Sequence, residues 1–207
     1  MSITVRPAAE HEVPAAAAVL AEAFADDPVL RAFRPARSNE DRVLVLTDLF
    51  TALVRSVPPA SRALDVAVED GRVVGAAFWQ APRPHAGGAL AFLRQVPAFL
   101  RTLGVGGALR AVRHLGRMDR ARPEAPHWYL AEIGVAAVAR GRGVGGLLLE
   151  HALDRVDGRG EDAYLESSTP QNRRLYRRHG FGDGAPITGL GAARPVSMWR
   201  PAATATR

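Results

Sequence analysis

The sequence predicts an α/β (α+β) fold, a central sheet flanked by helices. Three stretches predict it. Residues 127–146 pass from an apolar, aromatic segment carrying Trp128, Leu130, Ile133 and Val135 into a glycine-rich turn. Residues at helical spacing follow, with Val144, Leu147, Leu148, His151, Ala152 and Val156 near one another. Asp70-Gly71 lies between two β segments, 63–69 and 72–80, and is a strong hairpin signal. Thr169-Pro170 opens a short helix that Gly180 can close in the left-handed conformation.

Taken in order, 3–6 is a first strand ended by Pro7. Pro14 sits in the first turn of a helix over 15–25, whose apolar face is Val19, Leu20, Ala23 and Phe24. That helix stops at Asp26-Asp27-Pro28, where an acidic pair can close a turn or attract a cation. Ser38 with Asp41 three residues on is close to a capping box for a second helix, which Pro58-Pro59 ends. The segment 72–80 is apolar nearly throughout and reads as a central strand, with Trp79 near its end. Residues 83–126 form a helical segment covering the sheet, with a stripe kinked at Pro97 and a second stripe beyond Gly104. Strand 163–167, a helix over 170–179 and closing strands at 187–190 and 195–199 complete the chain. We expect one domain over residues 1–201 and a flexible tail over 202–207.

The 207 residues are 47% hydrophobic, enough chain for a substantial core. No cysteine occurs, which excludes disulfides, a thiolate nucleophile and a cysteine metal site; no metal is expected. No charged-then-apolar leader precedes Ile3, and no apolar run is long enough to span a bilayer, so a cytoplasmic protein without a membrane partner is expected. The net charge of +6 is carried by arginine, with no lysine at all. That balance suits an anionic cofactor or nucleic acid, and the absence of lysine excludes a lysine Schiff base. The arginines at 173, 174, 177 and 178 form a basic helical face without the aromatic interleaving of a nucleic-acid module, so no nucleic acid is expected.

The turn at 140–146 carries the chemistry. A helix N-terminus leaves N–H groups unpaired and carries partial positive charge. Glycines let an anion approach those groups, and arginines add bidentate donors. Arg140, Gly141, Arg142, Gly143, Gly145 and Gly146 therefore suit a phosphate or pyrophosphate. A P-loop is excluded because it needs lysine. G-x-G-x-x-G is present at Gly141, Gly143 and Gly146, but residues 136–140 separate it from the strand, unlike a dinucleotide fingerprint.

Arg140, Gly143 and Gly145 also match Arg-x-x-Gly-x-Gly. Followed by Leu147-Leu148-Leu149, this resembles the acetyl-CoA-binding motif of the GNAT family of N-acetyltransferases. The family usually has proline two residues after the valine, where this chain has Ala137. Asn172, Leu175-Tyr176 and His179-Gly180-Phe181 are similar to the same family's helix before its last hairpin. Within it, Trp128-Tyr129-Leu130 with Leu165-Glu166-Ser167 resembles puromycin N-acetyltransferase-like members.

The resemblance implies a mixed, mostly antiparallel sheet with a splayed pair of central strands. It implies that Ile133, Gly134, Val135, the 140–146 loop with Val144, and Asn172 bind acetyl-CoA. It implies Tyr176 as the general acid and a backbone N–H near Val135 as donor to the reacting carbonyl. A base must reach the amine; Glu132 is the first candidate and Glu166 the second. Asp26, Asp27, Trp79 and Glu166 are candidates for contact with the acceptor. The implied reaction is acetyl transfer to a small-molecule primary amine, by a monomer or homodimer. A silent acyl-CoA-binding module, a protein acetyltransferase and a nucleotide-binding protein remain the alternatives.

Overall fold

The computed structural model describes residues 2–27, 30, 39–82, 87–189 and 194–203. In chain order its strands and α-helices are β1 (Thr4–Pro7), α1 (Val13–Ala23), α2 (Asn39–Arg55), β2 (Arg62–Glu69), β3 (Arg72–Gln80), α3 (Gly88–Ala121), β4 (His127–Val135), α4 (Val144–Asp157), β5 (Asp162–Ser167), α5 (Pro170–Arg178), β6 (Gly182–Pro186) and β7 (Val196–Arg200). The strands make one sheet in the order β1-β2-β3-β4-β5-β7-β6. Each neighbouring pair is antiparallel except β4–β5, which is parallel. A parallel pair needs a crossover, and α4 supplies it. This is the mixed, mostly antiparallel sheet that the resemblance implies.

The hairpin expected at Asp70-Gly71 joins β2 to β3, both residues at positive φ as a type I′ turn requires. Strand alternation then divides the core. Trp79, Trp128 and Leu165 bury on the α4 face with Leu148, Leu149 and Met198. Val66, Ala76 and Phe78 bury on the other face beneath α1 and α2, against Leu20, Phe50 and Val54. On the first face Asp65 of β2 is fully buried and takes two hydrogen bonds from Arg155 of α4, at 3.1 and 2.8 Å. Pairing a buried carboxylate in this way is what makes its burial tolerable.

Helix α1 lies directly on β4 because Gly134 has no side chain. A Cβ there would stand 2.7 Å from Ala23 Cβ and 3.2 Å from Leu20 Cδ2. Gly134→Ala is therefore expected to push α1 outward and destabilise the fold by about 1–3 kcal/mol. A thermal melt should read this as a loss on the order of 5 °C.

Two expectations about the fold change. The long segment breaks at Gly104, at φ +65° and ψ 168°, and not at Pro97, which lies inside helical turns. Pro97 only removes one N–H, whereas Gly104 leaves the helical region altogether. The penultimate strand is β6, earlier than the expected 187–190. Its sequence has poor strand propensity, but it pairs with β7 from Gly182↔Trp199 to Pro186↔Val196, and Arg177 grips Asp183. Leu190 lies outside the described residues, as do Pro28 and the Ser38 cap. The tail is tied at its start, where Ala202 N–H donates to Asp162 at 2.6 Å.

Candidate active site

Strands β4 and β5 pair only from His127↔Asp162 to Leu130↔Leu165. Beyond Leu130 they part, and β5 keeps only β7 through Glu166 and Ser167. On its other side β4 stays with β3, but the register shifts. Trp79 faces Leu130 and Phe78 faces Glu132, so Ala131 is an extra residue. Such a bulge turns the following side chains over. Trp128 and Leu130 pack on the α4 face, and so do Ile133 and Val135, three and five residues beyond Leu130. Glu132 would share the face of Leu130 in a regular strand; the bulge turns it into a cavity beneath the other set of helices.

The splay also frees a backbone edge. Ala136 N–H donates to Val74 O on β3, so by alternation the amides of Ile133 and Val135 face the gap left by β5. The Val135 carbonyl already accepts from Arg140 Nε there, at 3.2 Å.

Beside this edge lies the glycine turn. Gly141 and Gly143 take φ of +75° and +80°, and no atom lies within 4 Å of a Cβ built on either. Gly143 is the N-cap of α4, so the first amides of that helix open onto clear space. Val144 is core, packed on Gly75, and offers only its backbone. Gly145 and Gly146 face Leu175 and His179, at 3.5 and 3.8 Å from where their Cβ atoms would be. The second informative stretch of sequence is thereby set against the first. Arg142 departs from expectation, because its guanidinium makes paired hydrogen bonds to Glu69 of β2. Its side chain is held by that carboxylate, which leaves Arg140 and the backbone amides to meet an anion.

The turn suits a pyrophosphate: it opens a helix, and its two left-handed glycines have clear space where side chains would stand. Gly143→Ala keeps the space but strains the left-handed backbone by about 1–2 kcal/mol. It is expected to weaken binding of a pyrophosphate-bearing ligand about tenfold, read as a smaller ligand-induced thermal shift.

Helix α5 carries the polar groups on the far side. Thr169 Oγ1 accepts from Asn172 N–H at 3.2 Å, the predicted cap. Gly180 closes the helix at φ +87°, and Phe181 N–H reaches back to Tyr176 O. Asn172 and Tyr176, one turn apart, line the cavity with Glu132 and Glu166. The cavity measures about 430 Å³. Burial, then the charges of Asp27 and Glu166, lift Glu132 to about 8. Burial first and the Glu132 carboxylate second push the Tyr176 hydroxyl up as well. Near neutrality both groups are therefore largely protonated.

Glu166 is enclosed as well, its side chain 2% exposed. Burial raises it, while Tyr129 and Arg122 oppose the shift. The Arg122 guanidinium lies 3.5 Å over the Tyr129 ring and 3.7 Å from Glu166. Tyr129, His114 and Ser168 line the cavity too, and the sequence reading did not single them out. For Tyr129 a signal existed: it alternates with Trp128 and Leu130, both core, and so belongs to the opposite face.

Of the acceptor candidates, Asp27 and Glu166 reach the cavity, and Asp27 also accepts from Leu30 N–H at 3.1 Å. Asp26 is exposed and lies off the cavity. Trp79 is 0% exposed. It follows Phe78 on β3 and so faces α4, in the core rather than on the cavity wall. Among the described residues no cluster of three or more His, Asp or Glu could hold a metal, and no helix is long and apolar enough to cross a membrane.

Comparison with known proteins agrees with this architecture. Residues 27–181 match the Acetyltransferase (GNAT) family. An uncharacterised N-acetyltransferase of Schizosaccharomyces pombe is 28% identical over 174 residues, 80% of this chain and 69% of the relative. The crystal structure of a histone acetyltransferase HPA2 and related acetyltransferase from Corynebacterium glutamicum superposes with a TM-score of 0.76 at 30% identity, covering 100% of both chains. PaiA N-acetyltransferase of Thermoplasma acidophilum, in complex with coenzyme A, shares the fold at a TM-score of 0.57 and 13% identity, over 97% of this chain and 99% of its own. With the splayed pair and the glycine turn both inside the matched stretch, the chain belongs to the GNAT family of acetyltransferases.

Proposed function

We propose that the protein transfers an acetyl group from acetyl-CoA to the primary amine of a small molecule, both held together in one cleft. The observation that carries the reading is that Glu132 and Tyr176 line one cavity, on a splayed strand and a helix that both pack against the glycine turn. The family and the CoA complex of the Thermoplasma neighbour support the donor.

The amides of the 141–146 turn and Arg140 would hold the pyrophosphate, and the free edge of β4 the pantetheine arm. Bound there, acetyl-CoA supplies a thioester, whose C–S bond breaks as the amine nitrogen forms the new C–N bond. Glu132 takes a proton from the incoming ammonium. The Ile133 and Val135 amides, fixed on a strand, are placed to donate to oxygen as negative charge develops. Tyr176 gives its proton to the departing sulfur and is reprotonated by the second proton, which the acylated nitrogen sheds to become the amide. Holding both partners in one cleft supplies much of the acceleration.

A thermal-shift titration with acetyl-CoA, CoA and NAD, followed by thiol release with an amine panel, tests the reading. Stabilisation by acetyl-CoA but not NAD, and thiol release that depends on an amine, are expected. Stabilisation by NAD alone would overturn the donor assignment. Acetyl-CoA binding with no release from any amine would leave a binding module.

A further inference from the structure

The cavity is asymmetric. Its charged groups lie together: Asp27 and Glu166 both act on Glu132, and His114 feels Asp27. Helix α3 contributes His114 to that group and otherwise lines the cavity with apolar side chains, on both sides of its break at Gly104. Phe92, Val96, Phe99 and Leu103 precede the break; Val112 and Leu115 follow it at helical spacing. Buried apolar side chains usually touch a neighbour, yet here Phe92, Val112 and Leu115 remain 48%, 64% and 47% exposed while facing the cavity. Glu166 Oε1 is buried with Arg122 Nε 3.7 Å away as its ion-pair partner.

We propose that the acceptor is an amphiphilic amine, its ammonium among Glu132, Glu166 and Asp27 and a bulky apolar body beneath α3. This rests on the acetyl-transfer reading and names the substrate class. A volume of about 430 Å³ falls in the range of drug-sized ligands. A short amine would leave most of the α3 wall wetted. A polyamine would set further ammonium groups against an α3 lining that is apolar apart from His114 and, among the described residues, offers no carboxylate.

The test is calorimetric binding of propylamine, butylamine, hexylamine and octylamine to the CoA-saturated protein, with thiol release from acetyl-CoA measured in parallel. Each methylene is expected to tighten Kd about fourfold, so that octylamine binds on the order of a hundredfold more tightly than butylamine. Val112→Asp should flatten that ladder; the acetyl-CoA thermal shift serves as its folding control. Octylamine binding no more tightly than butylamine overturns the inference, and does so while leaving acetyl transfer intact if short amines release thiol. A flat ladder with a concentration-dependent dimer gives the α3 wall to a second copy and also overturns it. A steep ladder without thiol release supports the apolar occupant and overturns acetyl transfer instead.

Discussion

Tyr176→Phe is expected to lower the turnover of acetyl transfer about a thousandfold, within the range for loss of a positioned acid. The phenol is buried on α5, held by an edge contact with Phe181 at 6.1 Å, and faces the cavity. Its ring is part of the core, so phenylalanine keeps the packing and removes only the hydroxyl. Burial and the neighbouring Glu132 both favour the neutral phenol, which keeps the proton available throughout the working pH range. Steady-state thiol release would show the fall in kcat. The acetyl-CoA-induced thermal shift should stay unchanged, because the glycine turn is untouched. Equal loss of kcat and of the thermal shift would mean that Tyr176 only supports the turn through Leu175 and His179. Retained turnover would remove it as the acid.

Much of this site could be read from letters because its elements announce themselves locally. The glycine turn, the Thr169 cap and the Gly180 stop are short-range chemistry, and each formed where expected. Other features depend on contacts between distant residues. The bulge at Ala131 arises from pairing with β3, and no residue of β4 marks it. The strand alone makes Glu132 a candidate, but only the bulge explains why it leaves the core face. Arg142 has the chemistry of a phosphate donor, yet Glu69, from β2, stands beside it and takes its guanidinium. Trp79 departs from expectation for a related reason: its face follows from Phe78 and from the partner strands, not from its position near a strand end. The Arg122–Tyr129–Glu166 cluster joins the end of α3 to two strands and has no signature of its own.

Glu132→Gln should make the protein less active and more stable, two effects that a merely structural carboxylate would not combine. Below about 8 the Glu132 carboxyl is largely protonated in the folded state, whereas in the unfolded chain it ionises near about 4.3. Between those values the folded protein holds a proton that the unfolded chain has released, so stability falls as pH rises. Burial is the main cause, and the charges of Asp27 and Glu166 add to it. Each tenfold change in the ionisation equilibrium corresponds to about 1.4 kcal/mol, and the window is several pH units wide; water entering the cavity reduces the sum to about 2–3 kcal/mol at pH 8. Glutamine lacks that charge, so its melting temperature should exceed the parent's by about 4–12 °C at pH 8 and converge with it near pH 4. Activity should move the other way. In the parent, the rate at saturating substrates climbs with pH as Glu132 loses its proton toward pH 8, and this limb should vanish in the variant with a loss of about a hundredfold. Comparing the two proteins with the same amine removes the amine's own ionisation from the difference. Thermal melts at pH 4 and 8 beside a pH–rate profile decide it. A variant that is less stable at pH 8 would make Glu132 a paired structural group, and an unchanged pH limb would transfer the base role to Glu166 or to water.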